Sequence, residues 1–587
     1  MAPTNSLGVN YGQQTKSIAH WNGTTYQRFV RRLFEILAFF FCLVAPASIG
    51  AAGGTPLPNN ASVSSADNGI IVMRAFVVTA TRLVAHPWRY ASIPGYEVLS
   101  NCDDTQTERY IRALLRGNGI NRALFPKGGV TTLATPVTVI LFSQIPEKDM
   151  TAAVMPKRAY GQSDPVLWGR SLPYVAMPTS MAIDVDTEAY CHGMPPLSRL
   201  PGVSLPFGQS NQEGDFSGIP RFNTHSYRFL LEHRTPEFPA WLIEGLNGPN
   251  GIFNWEDVEP VDRESVRCTL PTAQWISDSE TLLARKTPES VTPILPLKDF
   301  FAQQNPRLYN RSPVWFSEAA LFVRWGIFGG ADGEQSSPAA FWSFVNRASA
   351  GPISERVFRE CFDFGYAEME SRLREYLPKA VSGLLELKFA MDWNPAVPEL
   401  RDATASERGR IIGDWQRIKG VELKSANPSL SREFLAVAGE TLLAPYTHGS
   451  RDPQLQAVLG LYEQFIGEES KAREFLEAAA NEHMARPTAY ITLARIRYGE
   501  AKAHPLGRDG KFNPDQVASV LNPLLTATKL FPAIQETYSM IIDTWAQSEV
   551  KPTPADFAVL DEGISFFWRN RRLVDGVAKL RTAWGCP

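Results

Sequence analysis

The chain has 587 residues, with 58 Lys and Arg against 61 Asp and Glu for a formal net charge of −3. Apolar residues make up 44% and charged residues 20%, near globular averages, which excludes wholesale disorder, a collagen and a polytopic membrane protein. The near-neutral balance argues against nucleic acid as the main partner, because phosphate binding needs a clustered basic surplus.

Taken from the N-terminus, Arg28, Arg31 and Arg32 precede the uncharged apolar run Ile36–Ala47, and Ser48, Gly50, Ala51 and Ala52 follow it. A basic region, a short apolar stretch and a small-residue exit make a secretory signal. Spanning a bilayer takes about 20 apolar residues, so a retained N-terminal membrane anchor is the alternative. Residues 1–52 are therefore read as leader and signal peptide, which places the protein in the periplasm or cell envelope. The Gly-, Pro-, Asn- and Ser-rich stretch 53–69 reads as a linker. Beyond Cys42 in the apolar run, Cys102, Cys191, Cys268, Cys361 and Cys586 form no C-x-x-C pair. They predict buried small residues rather than a zinc cassette or a disulfide framework.

Residues 70–220 read as an N-terminal α/β part. Ile70–Arg82 is a β-branched run, and Tyr96–Leu99 is a short strand. Asp103 or Asp104 caps a helix over Thr105–Arg116, whose apolar stripe is Ile111, Leu114 and Leu115 and which Gly117 and Gly119 should end. Val137–Phe142 reads as a central strand, Ala182–Val185 as another, and Gly193–Pro220 as a long loop. In 221–390 the pattern turns helical, with helices expected at 223–233, 239–247, 314–327, 338–347, 354–361 and 366–377. Residues 391–587 read as a helical tail. There Leu459, Gly460, Ala472, Leu476 and Ala479 fall at offsets resembling a tetratricopeptide repeat, while a second copy near Ala518–Pro532 is poor. The predicted class is α+β with an all-α C-terminal extension, and residues 70–390 are expected to fold without the tail.

Thr224–Leu246 reads THSYRFLLEHRTPEFPAWLIEGL. Its phrase PAWLIEGL resembles the glutamate helix of gluzincin-type zinc peptidases, specifically the peptidase MA-like group. In that family H-E-x-x-H puts two His on one helix face to hold Zn²⁺, the intervening Glu activates water, and a second helix supplies a glutamate ligand. His225 matches the first His and Glu244 the third ligand. Ser226 stands in place of the general base, and Phe229 in place of the second His. The resemblance thus implies a vestigial metal site at His225 and Glu244 with no catalytic residue, since a catalytic zinc normally has three protein ligands. His233 is no substitute, because eight residues along a helix rise about 12 Å. Ser312–Phe328 and Glu355–Leu377 resemble later helices of the family, so the likeness spans about 75–380.

Plainer readings stand beside these. His225 reads equally as a core histidine, Glu244 as a helix-face carboxylate with an Arg partner, and Trp315, Phe316, Phe322 and Trp325 as core at helical spacing. The expected function is an exported, non-catalytic metallopeptidase-like protein that binds a protein or peptide and needs no cofactor. One alternative is an active zinc peptidase using His225, Glu244 and a loop residue such as Asp215 or Glu213. Another is a structural envelope scaffold built on the helical tail.

Overall fold

Successive side chains of a strand point to opposite faces, and the central strands here use both. In the computed structural model, Arg89–Ile93 (β1) and Tyr96–Ser100 (β2) form an antiparallel hairpin, Asp104–Leu124 (α1) crosses over, and Val137–Ser143 (β3) lies parallel to β2. Thr179–Ile183 (β4) and Glu188–Met194 (β5) form a second hairpin, with β5 parallel to β3. Val98, Val139 and Leu141 join Tyr110, Ile111 and Leu114 of α1 on one face. Leu99, Ile140 and Phe142 point to the other. Asp103 is the cap, its carboxylate accepting the Gln106 N–H at 2.9 Å. α1 runs past Gly117 and Gly119, because Asn118 between them is tied to the β1–β2 turn through Pro94 O and the Tyr96 hydroxyl.

The structure describes residues 87–124, 133–143, 179–194, 228–247, 258–261, 265–270, 294–303, 313–329, 337–382, 385–390, 392 and 394–586. The expected signal at Ile36–Ala47, the linker, the strand at Ile70–Arg82, and residues Glu213, Asp215, His225 and Ser226 lie outside them. Gly193 and Met194, expected in a loop, close β5.

A helical turn at 228–232 leads through Pro239 into Ala240–Asn247 (α2). Val258–Pro260 (β6) and Ser265–Leu270 (β7) follow, then Leu297–Ala302 (α3), Pro313–Phe328 (α4), Pro338–Ala350 (α5), Glu355–Phe362 (α6) and Tyr366–Ser382 (α7). Leu385–Ala390 (β8) completes a three-stranded antiparallel sheet of order β6-β7-β8. The helices share an aromatic core. Trp241 meets Phe322 edge-on at 5.1 Å and stacks on Phe344 at 5.9 Å, and Trp315 and Trp325 are buried with them.

Arg401–Asp402 (β9) pairs with β1 and extends the first sheet to six strands, in the order β4-β5-β3-β2-β1-β9. A helical array follows: Ala405–Ala426 (α8), Pro428–Thr447 (α9), Pro453–Ile466 (α10), Glu469–Asn481 (α11), Pro487–Ala503 (α12), Pro514–Ala527 (α13), Gln535–Gln547 (α14), Pro554–Phe566 (α15) and Arg571–Ala583 (α16). Proline opens α9, α10, α12, α13 and α15, where its missing N–H has no intrahelical partner to lose.

The array does not stand apart. Ile411, Ile412, Trp415 and Ile418 of α8, with Phe434 of α9, cover the sheet face formed by Leu99, Ile140, Phe142, Ala182, Ala189 and Cys191. Glu422 on α8 also accepts the Ile183 N–H of the edge strand β4 at 2.7 Å. A boundary at residue 390 therefore cuts through a shared core, and Arg82–Pro587 forms one compact unit. The expected independence of 70–390 thus leaves one sheet face to be covered by residues beyond 390.

Candidate functional site

Pro239 sets the entry to α2, its carbonyl accepting the Leu242 N–H at 2.9 Å. The apolar residues Trp241, Leu242, Ile243 and Leu246 then fix the helix in the aromatic core. Glu244 is thereby held almost buried, at 5% exposure. Arg228 neutralises it: Nη2 donates to Oε1 at 2.8 Å and Nη1 to Oε2 at 3.4 Å. A second carboxylate, Glu232, takes Arg228 Nε at 2.8 Å. Both oxygens of Glu244 face a guanidinium, so the donor set on this side does not suit a divalent cation.

Phe229 is 3% exposed and packs into the sheet core beside Tyr110 and Leu114. Phe229, which stands in place of the second His, joins the helical part to the sheet core, while Arg228 is the residue that reaches Glu244. His233 stacks on Phe229 at 3.9 Å, and its Nδ1 donates to Phe229 O at 2.8 Å. Burial lowers its pKa, although the Phe229 carbonyl and nearby Glu232 oppose the shift. Among the described residues, no group of three or more His, Cys, Asp and Glu side chains converges as a metal cage. Cys102, Cys191, Cys361 and Cys586 are free thiols, and burial pushes Cys102 up to about 12, which leaves it unreactive.

A second polar constellation, absent from the sequence reading, lies where the array meets the sheet. Glu97 of β2 takes Arg410 in bidentate fashion at 2.8 and 2.6 Å and accepts the Thr138 hydroxyl at 2.9 Å. Asp414 accepts Arg417 Nε at 2.9 Å and Arg486 Nη1 at 2.6 Å, and Asp184 accepts Arg417 Nη2 at 2.7 Å. Asp186 accepts the Thr488 N–H at 2.9 Å and its hydroxyl at 2.6 Å, capping α12 from across the junction. Burial works against Asp184 and Asp414, but Arg417 and Arg486 outweigh it and hold both below the usual carboxylate range. At Asp186 burial wins and raises the pKa despite Arg486. The sequence signal was available: Arg410, Asp414 and Arg417 fall at i, i+4, i+7, in register with the apolar stripe of α8.

Glu97, Thr138, Arg410, Asp414, Met484 and Arg486 line a cleft of about 470 Å³, part of it open solvent. It lies at the N-terminal ends of the parallel strands β2, β3 and β5. Open α/β sheets place their ligands at the carboxyl ends. Its charges also pair with one another. This constellation joins parts of the chain.

No family model and no curated protein matches the chain. Among solved structures, the crystal structure of the APC/C hetero-tetramer Cut9-Hcn1 matches at 12% identity with a TM-score of 0.19, covering 52% of this chain and 55% of that one. The chain thus spans about half the length of that protein, and a likeness so slight carries no argument about function. The resemblance to metallopeptidases rests on the sequence alone.

Proposed function

We propose that this is a non-catalytic protein that binds a protein or peptide partner, built on a metallopeptidase-like part whose reacting groups have been replaced. One observation carries the reading: the carboxylate matching the third zinc ligand, Glu244, is tied to Arg228 instead of standing free. Ser226 supports it, since a serine hydroxyl is too weak a base near neutral pH to activate water without a partner. General acid–base help of that kind is worth about 10²–10⁴ in rate. Partner binding is assigned to the helical array, because stacked antiparallel helices expose long surfaces that serve recognition. Export through Ile36–Ala47 belongs to the same reading and places that partner at the cell envelope.

Metal analysis of the purified full chain, run alongside a general peptidase assay with and without chelator, tests the proposal. The expected result is no stoichiometric zinc, no chelator-sensitive hydrolysis and no loss of partner capture in His225→Ala. Stoichiometric zinc together with hydrolysis abolished by Glu244→Ala would establish the active zinc peptidase instead.

A further inference from the structure

Three alternate loops of the array touch the rest of the molecule, and the attachments differ in kind. Between α11 and α12, Ala485 O accepts the Thr135 hydroxyl at 3.2 Å, and Arg486 enters the buried ion network. Between α13 and α14, Phe531 O accepts the Ala134 N–H at 2.6 Å, and the Phe531 ring packs against the sheet core. Between α15 and α16 the contact is polar. Trp568 Nε1 donates to Ser349 O at 2.6 Å, and Arg569 Nη2 donates to Ala348 O at 3.3 Å. Arg569 Nη1 donates to Glu237 O at 3.4 Å and lies 3.5 Å from the Glu237 carboxylate.

Ala348 and Ser349 belong to the last turn of α5, whose carbonyls have no partner within the helix. An arginine there is favoured by those carbonyls and by the helix dipole. Among the described residues, no apolar cluster spans the contact. The cluster uniting α12 to α16 contains only residues of the array, and the aromatic cluster of α2 to α7 contains none of them. Glu237 is 46% exposed and Arg569 24%, so water competes for the pair. Arg569 Nε is buried without a hydrogen-bond partner among the described residues, so the guanidinium is incompletely satisfied in its seat.

We propose that Trp568 and Arg569 form a releasable latch. The first half of the array is fixed to the sheet by a shared apolar core and a buried ion network, whereas its last loop meets the rest of the molecule, among the described residues, through this polar contact and opens separately. Opening uncovers the α5 carbonyls and the 235–239 turn that enters α2. A partner offering an arginine beside an aromatic ring fits that uncovered surface, because the chain's own residues of that kind fill it when closed. The latch stands or falls independently of the non-catalytic reading, since its test reads motion rather than metal or turnover.

Hydrogen–deuterium exchange and small-angle scattering on the full chain test it, comparing the wild type with the Trp568→Ala/Arg569→Ala variant and with Arg569→Lys. In the double variant, exchange in 554–583 should rise about tenfold or more, as expected for losing charged hydrogen bonds. Protection in 405–503 should persist, and the radius of gyration should grow. The lysine variant should fall between, because it keeps a cation at the carbonyls. Unchanged exchange and scattering would overturn the proposal, as would loss of protection throughout 89–143 and 405–503, which would mean one cooperative core. A lysine variant indistinguishable from the double alanine would overturn the role of the charge.

Discussion

Glu318 on α4 accepts the Leu295 N–H at 2.7 Å through one oxygen, and its other oxygen is buried without a partner among the described residues. Burial pushes its carboxyl up to about 8, aided by Glu370 and opposed by the Leu295 N–H and Arg374. A carboxyl raised in the folded state holds a proton that the unfolded chain has released. Its stabilising share is therefore complete below the ordinary carboxylate range and is lost as pH rises toward about 8. Unfolding free energies from denaturant titrations at pH 5 to 9 should carry from Glu318 a fall of at most about 1.4 kcal/mol per pH unit in the wild type, for one proton. Glu318→Gln should flatten that slope, and an unchanged slope would mean that Glu318 is ionised throughout. At this scale the sequence spoke unevenly. That Glu244 would take an arginine was readable from its place on an apolar helix, but the arginine itself lies 16 residues upstream across a turn. The seat of Phe229 in the sheet core was not readable, because a motif fixes positions along a helix and not the direction in which each side chain is sent.

Helices of the array approach closely where a side chain is missing. A Cβ on Gly460 of α10 would sit 2.5 Å from Leu476 Cγ and 3.1 Å from Ala472 O, both on α11. Gly499 on α12 is exposed, with nothing within 4 Å of the same position. Gly460→Ala should therefore destabilise by about 1–3 kcal/mol. Gly499→Ala should stabilise by about 0.5–1 kcal/mol by removing a flexible residue from a helix interior. Thermal or urea unfolding of the two variants checks the pair, and equal effects would show that α10 and α11 are not in close contact. The helices were legible because a 3.6-residue apolar period, reinforced by proline at the first turn, is a local signal. Gly460, Ala472 and Leu476 were readable for the same reason. Strand β5 was not: EAYCHGM has no clean alternation, and what makes it a strand is β3 on one side and β4 on the other.

Across the whole molecule, the packing of the array on the sheet was not legible, for want of any local mark of a non-local contact. The apolar stripe of α8 shows that the helix buries a face but not which surface receives it. A chain ending at residue 390 leaves Leu99, Ile140, Phe142, Ala182 and Cys191 without their cover. Such a fragment is expected to aggregate or to bind a hydrophobic dye, and a monomeric fragment with cooperative unfolding would restore the division. The same packing has a consequence in time. Glu97 and Arg410 are 313 residues apart, so the face around Leu99 is synthesised long before the helix that covers it. At about 5–20 residues per second, a ribosome takes roughly 15–60 s to deliver Arg410 after Glu97. For that interval the nascent sheet is a sticky, half-dressed surface, and its safe passage falls to whatever escorts the growing polypeptide.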